Sequence, residues 1–309
     1  MARQINDKRY DYVYFIGQYW NDDFMEMMKA IKTPIAVALH EVVDHFNPHY
    51  KKTPKLIDYC FKNKTDIVVF SENSRNDLLK YRNADNSHVH TIPFGLFETF
   101  PLCGNKVRMD LPEKYILFYG SIKPYKGLDL LYKAVSQIPI AEMKGVKVVV
   151  AGAGSDPYLE KIASDERFVL IHRYLLNDEI PCLIGHSMAV VCPYHSMSQS
   201  GIPQTVYAFA KPLIASDLPA FGDVVDDMQN GLLFEKEDAM DLADKILLVI
   251  DNPDILASLS DGVRNFPETH EKYNWNSIAD KLVRQVFKFQ ASPIGFMRCP
   301  DPYVVVKDS

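Results

Sequence analysis

Short apolar runs alternate with longer amphipathic stretches along most of the chain. An apolar run bounded by Gly, Pro, Asn or Ser is typical of a buried strand, and apolar residues at helical spacing are typical of an amphipathic helix. Strands that alternate with helices predict βαβ units and parallel sheets, and therefore an α/β fold. The predicted strands are residues 12–16, 34–39, 66–70, 89–92, 115–119, 146–151, 168–171, 189–192, 213–215 and 231–234.

The length of 309 residues predicts two domains. Residues 101–112 contain two prolines, a glycine and mixed charge, which is typical of a linker. We therefore predict a first domain over residues 1–110, a second over residues 111–270, and a closing helix with a tail over residues 271–309.

The sequence Ser-Gln-Ser-Gly at residues 198–201 separates a predicted strand from a predicted helix at residues 203–210. A small-residue loop at this place presents backbone N–H groups and the positive end of the helix dipole to an anion, for which we expect a phosphate. An ordinary strand-to-helix turn is the alternative, because Gly and Ser are common in turns.

A second loop of this kind, residues 120–127, precedes a predicted helix at residues 128–137. Lys123 and Lys126 stand near the start of that helix, where the dipole does not favour cations, so an anionic ligand between them would account for both. The Gly-Ala-Gly at residues 152–154 lacks the third glycine and the acidic partner of a dinucleotide fingerprint, so NAD binding is disfavoured.

His40 follows the predicted strand 34–39, at the edge where open α/β sheets bind their ligands. We expect it to contact a substrate hydroxyl, and the alternative is a surface histidine beside acidic residues. A zinc site with His45 and His49 is a further alternative, against which the irregular spacing and the lack of a cysteine argue.

Composition narrows the class of protein. The net charge of −6 argues against a nucleic-acid binder, and no apolar run approaches the ~20 residues of a membrane span. The polar start has no signal-peptide core. Because the five cysteines share no Cys-x-x-Cys spacing, we expect reduced thiols in a cytoplasmic protein.

Ordered motifs in the second part of the chain resemble the C-terminal domain of retaining GT-B glycosyltransferases of family four. Residues 273–275 (Tyr-Asn-Trp) resemble the segment that crosses back to the first domain of that family, and residues 35–40 resemble a strand whose histidine faces the acceptor. The resemblance implies two Rossmann-like domains, the N-terminal one incomplete. The motifs are Gly120, residues 126–131 (Lys-Gly-Leu-Asp-Leu-Leu), 149–154 (Val-Val-Ala-Gly-Ala-Gly), 211–217 (Lys-Pro-Leu-Ile-Ala-Ser-Asp) and 230–233 (Asn-Gly-Leu-Leu).

The same resemblance implies transfer of a sugar, with retained configuration and without a metal, from a nucleotide sugar to a saccharide or lipid-linked acceptor in polysaccharide or glycolipid assembly. The nucleotide sugar is a co-substrate, and no cofactor is expected. His40 would lie near the acceptor and the transferred sugar. The donor diphosphate and sugar would contact Ser121, Lys123, Lys126, Gln199, Ser200, Gly201, Ile202 and Gln204, and the nucleotide would contact Arg173, Tyr174 and Thr205.

The sequence departs from the family pattern in three places. Ser121 replaces a common arginine, and Met197 and Thr205 stand where a pair of glutamates is common. The strands before residue 12 are missing, which predicts an open sheet edge and a partner chain or self-association there. A monomer in light scattering at micromolar concentration would contradict that prediction.

These departures leave two rival functions open. One is a degenerate, non-catalytic subunit that binds a sugar nucleotide or a partner enzyme. The other is an enzyme with different chemistry, such as a sugar-nucleotide epimerase, for which no convincing set of acid and base carboxylates is present. The basic, aromatic residues 281–289 raise peripheral contact with the inner face of a membrane as an alternative to packing on the first domain.

Overall fold

The computed structural model describes residues 1–8, 10–16, 22–40, 42, 53–82, 87–102, 107–197 and 200–289. The chain forms two compact units, Met1–Phe94 with Trp275–Ser309, and Gly95–Asn274. Each has its own parallel sheet and its own hydrophobic core.

The strands are β1 (Val13–Ile16), β2 (Ile35–Leu39), β3 (Asp66–Val69), β4 (Val89–Thr91), β5 (Tyr115–Tyr119), β6 (Lys147–Gly152), β7 (Phe168–His172), β8 (Val190–Cys192), β9 (Leu213–Ser216) and β10 (Gly231–Phe234). The helices are α1 (Ala2–Asp7), α2 (Asp22–Ala30), α3 (Thr53–Asn63), α4 (Glu72–Arg82), α5 (Thr99–Leu102), α6 (Leu128–Gln137), α7 (Leu159–Ser164), α8 (Ile180–His186), α9 (Ile202–Tyr207), α10 (Pro219–Gly222), α11 (Ala239–Asp251), α12 (Pro253–Arg264), α13 (Phe266–Thr269) and α14 (Trp275–Lys281), which continues as a π-helix over Leu282–Val286.

The first unit contains the parallel sheet β1-β2-β3-β4. Its central strands, β2 and β3, are buried on both faces because helices cover both faces of the sheet. One face packs on α2, α3 and α4, and the other face packs on the closing helices. The second of these layers consists of Ala36, Ala38, Val68, Phe70, Ile92, Ile278 and Val286.

The second unit contains six parallel strands in the order β10-β9-β8-β5-β6-β7. The first strand of this sheet in the sequence, β5, lies in the middle. Strands β6 and β7 follow on one side of β5, and β8 then lies on its other side. The strand order therefore reverses between β5 and β8. In open α/β sheets, ligands bind outside the carboxyl ends of the strands at such a reversal.

Every predicted strand is present, and its ends differ from the prediction by no more than one residue. The sequence predicts that Ser74 caps a helix over residues 75–81, and this prediction is wrong, because Ser74 does not cap α4. Ser71 does: its Oγ accepts a hydrogen bond of 3.1 Å from the Ser74 N–H, so the helix begins at Glu72.

The described cysteines, Cys60, Cys182 and Cys192, are buried free thiols, as predicted. Within the described residues, no helix has both the length and the apolar character that crossing a membrane requires.

Candidate functional site

The loops that follow β5 and β8 meet at the reversal of strand order. The two strands are neighbours, with Leu117 in register with Val190. The His195 N–H donates a 2.8 Å hydrogen bond to the Tyr125 carbonyl oxygen. A Cβ atom on Gly127 would lie 1.7 Å from the Pro193 carbonyl oxygen, so only glycine permits this approach of the two backbones.

Lys126 ends the first of these loops and is only 7% exposed. Its Nζ lies 5.4 Å from the centroid of the Tyr194 ring and close to the backbone of Gly120. Burial lowers the pKa of Lys126, Cys192 opposes this by a smaller amount, and the neighbouring Lys123 ammonium lowers the pKa further. In the part of the chain that the structure describes, no carboxylate pairs with this ammonium group. A buried cation without a counter-ion is costly, so the site favours an anionic ligand.

The Gly-Ala-Gly after β6 supports the loop after β5. A Cβ atom on Gly152 would lie 1.8 Å from the Gly120 carbonyl oxygen, and one on Gly154 would lie 1.9 Å from the Ile122 carbonyl oxygen. Both glycines have positive φ, of 154° and 149°. Close backbone contact therefore explains these glycines without a dinucleotide.

The loop after β8 leads into α9, and the structure describes only part of it. Ser200 and Gly201 precede α9 and Ile202 begins it, whereas Gln199 is outside the described residues. The Ile202 N–H donates to the Ser200 Oγ at 3.2 Å, so this amide already has a partner within the loop. This hydrogen bond therefore connects Ser200 of the loop to the first residue of α9.

Two polar residues of α9 are buried behind this loop. Gln204 has a side-chain oxygen without a hydrogen-bond partner among the described residues. The Thr205 Oγ1 donates to the Gly201 carbonyl oxygen at 2.9 Å, inside its own helix. Gln204 therefore retains an acceptor for a ligand, and Thr205 has already used its donor.

Arg173 and Tyr174 follow β7, which lies at the edge of the sheet and is separated from β5 by β6. Both terminal nitrogens of Arg173 donate to the Glu179 carboxylate, at 2.7 and 2.5 Å. The Arg173 hydrogen bonds, together with one from the Leu176 N–H, lower the pKa of Glu179 although burial opposes this. Tyr174 is 75% exposed.

Sequence reasoning missed Glu179, whose carboxylate accepts a 2.8 Å hydrogen bond from the Leu176 N–H three residues earlier. It also missed His195, whose ring lies 2.7 Å from Asp129 and 2.7 Å from Glu237. No local sequence pattern predicts the two contacts of the His195 ring, because Asp129 and Glu237 are distant in sequence from His195 and from each other.

His40 lies in the first unit, at the carboxyl end of β2. Its ring centroid is 4.9 Å from that of Phe70 and 5.4 Å from that of Phe94, and the two phenyl rings stack at 3.9 Å. Burial in this aromatic cluster lowers the pKa of His40. Its imidazole is therefore neutral at pH 7.

Two of the three histidines of the alternative zinc site, His45 and His49, are outside the described residues. Across the described ranges, no group of three or more His, Cys, Asp and Glu side chains is arranged to hold a metal ion.

Met197, where the resemblance implies a glutamate, and Asp223 both have contacts within the fold. Met197 packs against the core cluster that contains Tyr194 and Phe221. Asp223 follows α10, and its carbonyl oxygen accepts a 3.2 Å hydrogen bond from the Tyr273 hydroxyl. Ser121 and Lys123 are exposed on the loop after β5.

Residues 113–252 match the family model of glycosyl transferases group 1. An uncharacterized glycosyltransferase of Methanocaldococcus jannaschii is 30% identical over 180 residues, which cover 56% of this chain and 47% of that protein. The poly(ribitol-phosphate) alpha-N-acetylglucosaminyltransferase of Staphylococcus aureus is 27% identical over 254 residues, which cover 77% of this chain and 49% of that protein. The chain thus spans about half the length of these relatives.

The fold has matches among solved structures. The crystal structure of HepE from Anabaena in complex with UDP and glucose superimposes with a TM-score of 0.71 at 13% sequence identity, over 93% of this chain and 81% of HepE. The two parallel sheets of this chain are thus those of a GT-B fold. Residues 113–252 are thus similar to glycosyl transferases group 1, and the chain has the GT-B fold.

Proposed function

We propose that this chain transfers a sugar from a nucleotide-sugar donor to a saccharide or lipid-linked acceptor, with retained anomeric configuration and without a metal ion. The observation that carries the proposal is the buried Lys126 ammonium, which has no carboxylate partner among the described residues and lies where strand order reverses. The two relatives named above are glycosyltransferases, and HepE was solved with UDP and glucose.

In this proposal, the Lys126 ammonium neutralises the charge that grows on the leaving diphosphate. A fixed cation in a water-poor site stabilises such charge more strongly than one in bulk water. Lys123 and Ser121, on the exposed side of the same loop, reach the outer phosphate oxygens. Ser200 and Gly201 contribute from the facing loop, together with Gln199. The Ile202 amide contributes once a phosphate oxygen replaces the Ser200 Oγ as its acceptor.

The Gln204 Oε1, which has no hydrogen-bond partner among the described residues, suits a donor hydroxyl group, because a buried acceptor without a hydrogen bond is costly. The nucleotide extends towards Arg173, Tyr174 and Thr205. Retention follows if the acceptor hydroxyl attacks from the face of the leaving diphosphate, with a phosphate oxygen taking its proton. Such a reaction needs phosphate-stabilising groups more than it needs a carboxylate nucleophile.

His40 serves the acceptor in this proposal. A neutral imidazole at pH 7 both donates and accepts one hydrogen bond, which suits a sugar hydroxyl. Its packing on Phe70 and Phe94 fixes the direction of those bonds.

A non-catalytic subunit that binds sugar nucleotides is the second candidate. It is favoured by Met197, which packs against the core, and by Thr205, which hydrogen-bonds within its helix, because neither supplies a carboxylate. A cytoplasmic location, peripheral contact with a membrane and association through the open edge of β1 also stay proposals.

Turnover separates the two candidates. The purified chain would be incubated with UDP-, GDP- and ADP-sugars, with and without EDTA. The nucleoside diphosphate released and the anomer of the freed sugar would be measured. We expect one donor to be consumed with retained configuration, no effect of EDTA, and a loss of about 100-fold or more in kcat/KM for Lys126→Ala.

Lys161→Ala, which removes an exposed lysine of α7, is the matched control and should leave the rate unchanged. A donor that binds but is never consumed would contradict the enzymatic proposal and favour the non-catalytic one.

A further inference from the structure

The His195 imidazole lies between two carboxylates. Its Nε2 is 2.7 Å from the Asp129 Oδ1, and its Nδ1 is 2.7 Å from the Glu237 Oε2. A carboxylate only accepts hydrogen bonds, so a ring that satisfies both must donate from both nitrogens. The arrangement therefore fits an imidazolium ion.

The three residues belong to three different elements of the second unit. Asp129 is in the first turn of α6, immediately after the loop that carries Lys126. His195 is in the loop after β8, and Glu237 precedes α11 with a positive φ of 65°. The ring therefore connects three parts of the second unit. These are the start of α6, which follows the loop carrying Lys126, the loop after β8, and the segment between β10 and α11.

Other contacts hold the same set in place. The Lys133 Nζ lies 2.8 Å from the second oxygen of Asp129, and the His195 N–H donates to the Tyr125 carbonyl oxygen. Asp129 also lies at a helix start, where the dipole favours a negative charge. The charged groups around the ring are thus Asp129 and Lys133 from α6, and Glu237 from the segment before α11.

We infer that His195 is a positioning residue of the donor-diphosphate site, which holds the loop carrying Lys126 against the loop after β8. This inference rests on the proposed function. Both ring nitrogens are engaged by protein carboxylates, so His195 acts through the geometry of its neighbours and not through contact with the substrate. Direct backbone contact between Gly127 and Pro193 sets the loops side by side, and the charged bridge keeps them there.

The first test needs no ligand. Amide hydrogen exchange would be compared between the wild-type chain and His195→Gln, with Glu237→Gln as a milder variant that removes one side of the bridge. His186→Gln is the control, since among the described residues the His186 Nδ1 contacts only a carbonyl oxygen and a thiol of its own helix. We expect faster exchange in residues 121–131 and 193–197 for both bridge variants and unchanged exchange for the control. Unchanged exchange in both variants would overturn the claim that the contacts of His195 with Asp129 and Glu237 hold the two loops together.

The second test measures binding of UDP, GDP and ADP. For the nucleotide that the wild type binds, we expect the dissociation constant to rise about tenfold in His195→Gln. The dissociation constant of His195→Gln divided by that of the wild type should fall towards one as the pH rises through the pKa of His195. Burial lowers this pKa, but the hydrogen bonds to Asp129 and Glu237 outweigh burial and raise it. This ratio is insensitive to ionisation of the nucleotide itself, and a loss of packing alone would not make it depend on pH.

The outcomes separate the inference from the proposed function. Equal binding by the wild type and His195→Gln would overturn the positioning role and leave the proposed function standing. Failure of the wild type to bind any of the three nucleotides would overturn the proposed function and the donor role of His195 together, whatever the exchange data show for the bridge.

Discussion

Lys126 and Arg173 are two cations at the carboxyl edge of one sheet, and their surroundings differ. Arg173 is neutralised by Glu179 through two hydrogen bonds, and its side chain is 49% exposed. Lys126 is buried and has no such partner among the residues described. The sequence could predict that both stand after strands. The sequence could not show which of the two is the better candidate for binding an anion, because that depends on burial and on neighbours in space.

Glu179→Gln tests the pair at Arg173. We expect the variant to be less stable than the wild type at pH 7 by about 1 kcal/mol, since the partner is half exposed and solvent weakens the ion pair. The pKa of Glu179 is lowered in the fold, so its stabilisation is present above the ordinary glutamate pKa of about 4.3 and is lost as the pH falls through the lowered value.

Urea unfolding between pH 3 and pH 7 measures this effect, with Glu160→Gln on the exposed face of α7 as the control. A stability difference that stayed the same over the whole range would show that the charge of Glu179 is not what stabilises the segment.

At the scale of elements, the strands were predictable and the loops were only partly so. The central strands, such as β2, β3 and β5, are buried on both faces, and that makes each of them an apolar run that stands out in the sequence. The loops were recognisable as glycine- and serine-rich segments after strands. Their partners were not, because the contact of Gly127 with Pro193 and the bridge at His195 join residues that are far apart in the chain.

Gly127→Ala tests the contact between the two loops. Gly127 has a φ of 69°, and an added Cβ would meet a backbone carbonyl that cannot move without moving the loop after β8. Gly145→Ala is the matched control, because Gly145 has a φ of 80° but nothing within 4 Å of an added Cβ.

Both variants have the cost of a positive φ in common, so their difference isolates the loop contact. We expect Gly127→Ala to be less stable than Gly145→Ala by about 1–3 kcal/mol in urea unfolding. Equal loss of stability would mean that the loops separate easily and do not form a fixed site.

For the whole molecule, the decisive feature is the order of the strands. The sequence predicted parallel sheets, but alternation alone does not say that β8 returns to lie beside β5. That return places Lys126 and the Ser-Gly loop at one edge. The ordered motifs over residues 120–233 pointed to the same arrangement through their resemblance to GT-B enzymes, and the matches to glycosyl transferases group 1 and to HepE support it.

The titration of the purified chain with UDP, GDP and ADP, compared between the wild type, Lys126→Ala and Lys161→Ala, tests the central claim most directly. The claim is that a nucleoside diphosphate binds at the edge between β5 and β8. It predicts micromolar binding of one nucleotide by the wild type and Lys161→Ala, and a loss of about 2–4 kcal/mol in binding free energy for Lys126→Ala, because the buried ammonium is then absent. Equal binding by all three proteins, or binding by none, would contradict it.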